Sequence, residues 1–421
     1  MEGIRIGVLG NVDSAKTTTI SVLKNNILDN GRGSARSLIF KHKHEQDTGR
    51  TSSINHTHVK HSEEKVISYV DLAGHEKYLK TTVFGLNACS IDYAVILVGA
   101  NMGVLRMTKE HFKLAMALNL PIIFVITKID ICPENILAET IKNINKLIKL
   151  GYRKHQKESL IIESLNDLEY LNGYPKENKK YVPVFKISNT SGENIDILKS
   201  FIGGLPKLFD FNQKKMIKNT LFTIEETFFV DGVGCVVSGV VKEGVIKIGD
   251  KLTIGPFNGS FKQIIVKSIH DNFRNSIDAL SAGMSGCVCI KGSKKDQIKK
   301  KKIKKGMVLN NDLTKIDIKK TYREFLADVL ILHHPTTIRE NYQPVIHCGS
   351  ISQSAKICKI NTKNNDLNHV DDSEKPCLRT GDKSEIKFMF TNRPEFIQEG
   401  YKIMFREGKT KGIGRVTKVL S

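Results

Sequence analysis

The chain has 421 residues, of which 40% are hydrophobic and 26% charged. That is globular composition, long enough for more than one core, and it excludes a disordered chain. Lys and Arg outnumber Asp and Glu by 65 to 44, a formal net charge of +21, which favours polyanions such as RNA and disfavours basic partners.

The first apolar run, Ile4–Leu9, reads as a strand and follows no charged-then-apolar leader, so secretion is not expected. Further strand-like runs are Val66–Val70, Tyr93–Val98, Ile122–Ile126 and Val182–Ile187. Between them, Thr108–Leu118 and Glu134–Leu150 place apolar residues at helical spacing. In the second of these, Ile136, Leu137, Ile141, Ile144, Leu147 and Ile148 form one stripe. Strands alternating with helices predict an α/β domain built on a mainly parallel sheet. Lys154–Lys180 is polar and reads as an insertion or a mobile loop.

Near Phe209–Lys218 the pattern changes to short apolar runs separated by glycine turns: Gly232–Gly234, Lys247–Asp250 and Ile254–Pro256. Such runs predict antiparallel β-barrels. The expected organisation is an α/β P-loop domain over 1–212, then two antiparallel β-barrel domains over 213–318 and 319–421. No apolar run reaches the length of a membrane span. The eight cysteines lack a C-x-x-C pair, so reduced thiols are expected. Cys287 and Cys289 share one face of a strand and are expected to line a barrel.

Five segments carry the chemistry, and their order carries the inference. Gly10, Asn11, Val12, Asp13, Ser14, Ala15, Lys16 and Thr17 follow a strand and precede a helix. A tight turn there lets backbone amides surround phosphates, with Lys16 reaching the β- and γ-phosphates and Thr17 binding Mg²⁺. Asp71 and Gly74 end the strand Val66–Val70; the carboxylate suits Mg²⁺, and the glycine lets its amide approach the γ-phosphate. Thr127, Lys128 and Asp130 follow Ile122–Ile126. The Asp130 carboxylate accepts from guanine N1–H and the exocyclic amine, donors that adenine lacks, and Lys128 lies along the base. Ser188 and Asn189 close the last strand and face the guanine carbonyl. Between the first two motifs, Gly49–Ser53 occupies the switch position, and Thr51 is the candidate second hydroxyl on Mg²⁺. All five at strand carboxyl ends is where open α/β sheets bind ligands.

The segments around Asp71–Gly85, Leu28–Gly33, Phe40–His44, Gly49–Ser53, Leu332–Thr337 and Met404–Lys411 resemble the GTP-binding protein 1 and 2 family of elongation-factor-like GTPases. Val230–Gly239 resembles the second domain of the wider elongation-factor superfamily. The resemblance spans essentially the whole chain. It implies a cytoplasmic, monomeric GTPase that binds GTP or GDP with Mg²⁺ and engages the ribosome and aminoacyl-tRNA. It also implies that His75 orients the attacking water, a role other GTPases give to glutamine.

Two residues depart from the usual GTPase pattern. Thr127 stands where most GTPases have Asn, but the resembled family shares the Thr, which leaves guanine selection to Asp130. Ala15 stands where the phosphate loop needs glycine, and a Cβ at a positive φ costs about 1–2 kcal/mol. A silent RNA- or ribosome-binding pseudo-GTPase therefore stays open as the alternative, and a regulatory GTPase subunit of a metabolic enzyme as a third. His42, His44, His56, His58 and His61 are read as a solvated or RNA-facing loop, with zinc as the rival. Lys294–Lys305 is read as an exposed, phosphate-directed hairpin connection in the second domain.

Overall fold

The computed structural model describes residues 2–39, 54–63, 65–153, 156–177, 180–208, 220–257, 260–292, 303–311, 321–349, 351–361, 376–407 and 410–420. The switch segment Gly49–Ser53 with Thr51, residues His42 and His44, and most of the run Lys294–Lys305 lie outside them. The chain divides into two compact units, one formed by residues 1–86 and 90–210, the other by residues 87–89 and 211–421.

The first unit is a seven-stranded sheet in the order β2-β3-β1-β4-β5-β7-β6. Its strands are β1 (Glu2–Gly10), β2 (Asn55–Lys60), β3 (Lys65–Asp71), β4 (Tyr93–Gly99), β5 (Ile122–Thr127), β6 (Glu158–Ile162) and β7 (Tyr181–Lys186). Pairing is parallel except between β2 and β3. Every residue of β4 and β5 is buried. That follows from near-continuous Val, Ile and Leu runs, which suit strands covered on both faces.

Helices α1 (Lys16–Asn25), α2 (Ser34–Ser37), α3 (Leu79–Ala88), α4 (Arg106–Ala117), α5 (Glu134–Gly151) and α6 (Ile195–Gly204) intersperse the strands. Ile123 and Val125 of β5 join a core with Ile20 and Val22 of α1 and Leu198 and Ile202 of α6. Phe124, one residue out of phase, instead meets Phe112 of α4 with ring centroids 5.7 Å apart, as the strand period of two requires. At the end of α6, the Lys65 ammonium donates to the Gly203 and Leu205 carbonyls at 2.5 and 2.7 Å. There it satisfies acceptors the helix itself leaves open.

Three expectations for this unit need correction. Lys154–Lys180 is not simply an inserted loop: it contributes β6, which pairs in parallel with β7 at the sheet edge. Its five residues, flanked by polar segments, are too few to show a period. Within the α5 stripe, Ile144 and Ile148 are fully buried, whereas Ile136 is 38% exposed. His56 and His58 lie on strand β2, not in a loop, with stacked rings 6.4 Å apart. His58 Nδ1 is 2.8 Å from Ser68 Oγ. Among the described residues no group of three or more His, Cys, Asp and Glu is arranged to hold a metal ion.

The second unit holds two closed six-stranded antiparallel barrels. The first comprises β8 (Leu221–Val230), β9 (Gly234–Glu243), β11 (Lys251–Phe257), β12 (Ser260–His270), β14 (Ser285–Gly292) and β15 (Val308–Asn311), while β10 (Val245–Lys247) pairs with β13 (Ala279–Ser281). The second comprises β16 (Glu324–His333), β17 (Val345–Cys348), β18 (Ile351–Asn361), β19 (Lys383–Phe390), β20 (Lys402–Glu407) and β21 (Thr410–Leu420). Closure leaves no sheet edge open. Each barrel has its own apolar core, around Phe222, Val237 and Leu309 in one and Phe325, Phe388 and Phe405 in the other.

Cys287 and Cys289 do share a face of β14, but not the lining face. Val288 and Ile290 fill the barrel core, which sends both thiols to the opposite side. Ile254–Pro256 is not a turn either; it lies inside β11, where the pairing with β12 shifts register between Ile254 and Phe257.

The phase of α5 gives a direct stability test. Ile144→Ala is expected to cost about 2–5 kcal/mol, against about 0.5 kcal/mol or less for Ile136→Ala, read from denaturant midpoints. Equal costs would contradict the burial phase.

Candidate functional site

The carboxyl ends of β1, β3, β5 and β7 deliver Gly10, Asp71, Thr127 and the Ser188 loop to one edge of the sheet. After β1 the chain turns through Asp13 at φ 62° and Ala15 at φ 60°, and α1 begins at Lys16. Ser14 folds back, its hydroxyl donating to the Asn11 carbonyl at 2.8 Å. Gly10 makes room for that turn: a Cβ on it would fall 2.5 Å from Ser14 Oγ and 2.6 Å from the Leu97 carbonyl oxygen.

Lys16 is buried and donates to the Asn11 carbonyl at 2.7 Å. Burial pulls its ammonium below the usual lysine range, and the Asp71 and Asp13 carboxylates oppose that pull. Thr17 Oγ1 donates to Asp71 Oδ2 at 2.6 Å across 54 residues of sequence. Gly74 packs against the same loop, where a Cβ would lie 2.5 Å from Lys16 Nζ and 2.6 Å from the Gly10 carbonyl oxygen. Gly10, Lys16 and Thr17 of the first motif are thus brought together with Asp71 and Gly74 of the second.

These groups fit a phosphate chain with a divalent cation. A hydroxyl and a carboxylate in contact supply hard oxygen ligands, and Lys16 supplies a positive charge. The Asp13 and Ala15 amides donate to no acceptor among the described residues, and they sit at the N-terminus of a ten-residue helix.

The base-facing side is built by two loops. Lys128 follows β5 at φ 63° and starts a single 3-10 turn containing Asp130. Thr190 Oγ1 donates to Asp130 Oδ2 at 2.7 Å, and the Ser188 and Thr190 hydroxyls are 2.9 Å apart. Partial desolvation raises the Asp130 pKa, but the hydroxyls of Thr190 and Ser188, together with the Lys128 charge, more than offset it and hold the carboxyl below its ordinary value. The Asn189 side chain, buried, donates to Thr19 Oγ1 at 2.9 Å.

His75, next in the chain after Gly74, makes only local contacts among those described. It is exposed, its Nδ1 accepts from the Lys77 amide at 3.1 Å, and its ring meets Tyr78 edge-on. Thr51 lies outside the described residues.

The sequence named Thr127 but not its contact, and it missed Thr19, Asp29 and His111. Thr127 Oγ1 donates to the Ser14 carbonyl at 3.2 Å, and Thr19 Oγ1 donates to the Ala15 carbonyl at 2.9 Å. Asp29 organises the loop after α1, accepting from the Gly31, Gly33 and Ala35 amides, while its own amide donates to the Asn189 carbonyl at 2.8 Å. The Asp-Asn-Gly run was a usable turn signal; the threonine contacts left none. His111 of α4 is fully buried, and burial, aided by the Lys16 charge, holds its pKa at about 3 and the ring neutral.

The profile of the elongation factor Tu GTP binding domain matches residues 1–226, and that of the elongation factor Tu C-terminal domain matches residues 317–420. GTP-binding protein 1 of Xenopus laevis is 39% identical over 99% of this chain, which spans 63% of that relative's length. GTP-binding protein 2 of Homo sapiens is 35% identical over 99% of this chain and 69% of its own length. Among solved structures, translation elongation factor SelB from Methanococcus maripaludis in complex with the GTP analogue GppNHp superposes with a TM-score of 0.70 at 20% identity, covering 100% of this chain and 80% of that one. A bacterial selenocysteine-specific elongation factor, EF-Sec, gives 0.68 at 19% identity, covering 99% and 58%. At such identities the structural likeness speaks for the fold.

The Asp130 environment predicts a titration change. Its depressed folded pKa means the ionised carboxyl contributes stability above the unfolded value, and the contribution is lost as pH falls through the folded value. Thr190→Val is expected to move the Asp130 titration upward, and with it the pH at which the contribution is lost, as read by NMR of the side-chain carboxyl. An unchanged titration would show that the hydroxyl does not set the carboxyl's charge.

Proposed function

The chain belongs to the elongation-factor-Tu-type GTP-binding family, beside GTP-binding proteins 1 and 2, and from that membership we propose that it binds GTP with Mg²⁺ and hydrolyses it while engaging the ribosome and aminoacyl-tRNA. The 2.6 Å contact between Thr17 and Asp71 carries the reading, because it joins the phosphate loop and the second motif at the point where such sites hold a divalent cation. Mg²⁺, when bound, supplies positive charge beside the phosphate oxygens. Lys16 adds a buried cation, and the amides of the 10–17 loop donate to phosphate.

Asp130 reads the base, accepting from the two guanine donors that adenine lacks. Thr190 holds that carboxylate oriented and ionised, Lys128 lies along the base, and Ser188 and Asn189 shape the opposite edge. His75 orients the attacking water only after a partner brings it to the phosphate chain, which supports slow free hydrolysis and stimulation by the ribosome. Thr51, from the switch segment, is proposed as the second hydroxyl on the cation. The net charge of +21 supplies phosphate-directed attraction to RNA without sequence preference. We place the protein in the cytoplasm, acting as a monomer.

One observation favours a second reading, a nucleotide-poor RNA- or ribosome-binding protein: Ala15 adopts the left-handed conformation that costs a residue with a Cβ about 1–2 kcal/mol. That cost corresponds to about tenfold in affinity. Retention of Lys16, Thr17 and Asp71 around one point, with Asp130 kept in the base-facing loop, favours the GTPase.

Asp130→Asn is expected to lower affinity for guanine nucleotide about 100-fold or more. The same change admits xanthosine triphosphate, whose base carries a carbonyl where guanine has its amine. Retained guanine preference would remove Asp130 from the base site. Ribosomes are expected to stimulate GTP turnover, and His75→Ala to abolish the stimulation while nucleotide affinity stays; nucleotide binding without any ribosome cosedimentation would sink the translational part.

A further inference from the structure

Ala15 sits at φ 60° and ψ 27°, a conformation that a residue with a Cβ keeps only where its surroundings over-determine it. Two peptide planes set those angles. One contains the Ser14 carbonyl and fixes φ of Ala15; the other contains the Ala15 carbonyl and fixes ψ.

Each plane is held from a different base-facing loop. The Thr127 hydroxyl, fully buried at the end of β5, donates to the Ser14 carbonyl at 3.2 Å. On the other side, the Asn189 side-chain amide donates to Thr19 Oγ1 at 2.9 Å, and that hydroxyl donates on to the Ala15 carbonyl at 2.9 Å. The Thr19 amide reaches the same carbonyl at 2.9 Å. All of the side chains involved are at most 6% exposed, so water does not compete effectively for these bonds.

We infer that Thr127, with Thr19 and Asn189, is a positioning residue that holds the alanine-bearing phosphate loop in its left-handed turn, so that the guanine-reading loops set the geometry of the phosphate site. The inference deepens the nucleotide-binding reading and rests on it for its functional meaning. The tether itself is a property of the chain with or without nucleotide.

A glycine at position 15 populates positive φ as readily as negative and keeps the turn without help. Alanine relaxes toward negative φ when a tether is lost. The two positions are therefore coupled, and the coupling has a direction: loss of the Thr127 hydroxyl hurts the native chain more than an Ala15→Gly chain.

The test is a double-mutant cycle on the full chain with Thr127→Val and Ala15→Gly, alone and combined, read in two ways. Hydrogen exchange of the Thr19 amide, which donates to the Ala15 carbonyl, in nucleotide-free protein reports the turn directly. Equilibrium binding of a fluorescent GTP analogue with Mg²⁺ reports its consequence. With Ala15 in place, Thr127→Val is expected to speed exchange and weaken binding about tenfold. In the Ala15→Gly background both changes fall below about threefold, and Thr127→Ser in the otherwise native chain keeps both readouts near their native values. Thr19→Val, which removes the other tether, is expected to show the same dependence on position 15 and serves if Thr127→Val does not fold. Equal effects of tether loss in both backgrounds overturn the inference. If no variant binds the analogue, the nucleotide-binding reading falls, and the exchange cycle still decides whether the tether holds the turn.

Discussion

The site depends on one backbone turn. Between Gly10 and Lys16 the chain leaves β1, passes through two positive-φ residues, Asp13 and Ala15, and enters α1. That turn aims the amides of the loop, seats Lys16 against the Asn11 carbonyl and brings Thr17 to Asp71. Two glycines make the geometry possible by absence. Side chains at Gly10 or Gly74 would collide with Ser14, Lys16 or backbone oxygens at 2.5–2.6 Å. The unexpected element is a methyl group within that left-handed turn, on Ala15.

Much of this was legible in the sequence because the physics of a parallel sheet writes a strong signal. Strands covered on both faces must be continuously apolar, so β1, β3, β4, β5 and β7 stand out, and the candidate site residues follow at their carboxyl ends. The order Lys16, Asp71, Asp130 and Ser188 needed no structure to be read as a nucleotide site. The edge strand β6 was not legible, since an edge strand of five residues pairs on one side only and carries no sustained run. Nor was the facing of Cys287 and Cys289: the segment Cys287–Ile290 is apolar throughout, so its period of two cannot say which set turns inward.

What escaped sequence reading altogether were long-range hydrogen bonds. Thr127 and Ser14 are separated by 113 residues, and Asn189 and Thr19 by 170. A threonine hydroxyl leaves no periodic trace of its partner. Yet these bonds give physical sense to both departures from the expected pattern. Thr127, standing where most GTPases have Asn, is the donor that reaches the peptide before Ala15. If the tether holds the turn as inferred, Thr127 and Ala15 act as one arrangement.

The two barrels complete the family architecture, each closed upon its own core. They add surface to a chain whose +21 charge suits a polyanionic partner. Whether that surface serves a nucleotide switch turns on the phosphate loop. The measurement that tests this most directly is equilibrium binding of a fluorescent GTP analogue with Mg²⁺ to the native chain, with ATP as competitor. The account predicts saturable binding that GDP displaces and ATP does not. Absence of binding by the native chain, or equal displacement by ATP, would contradict it.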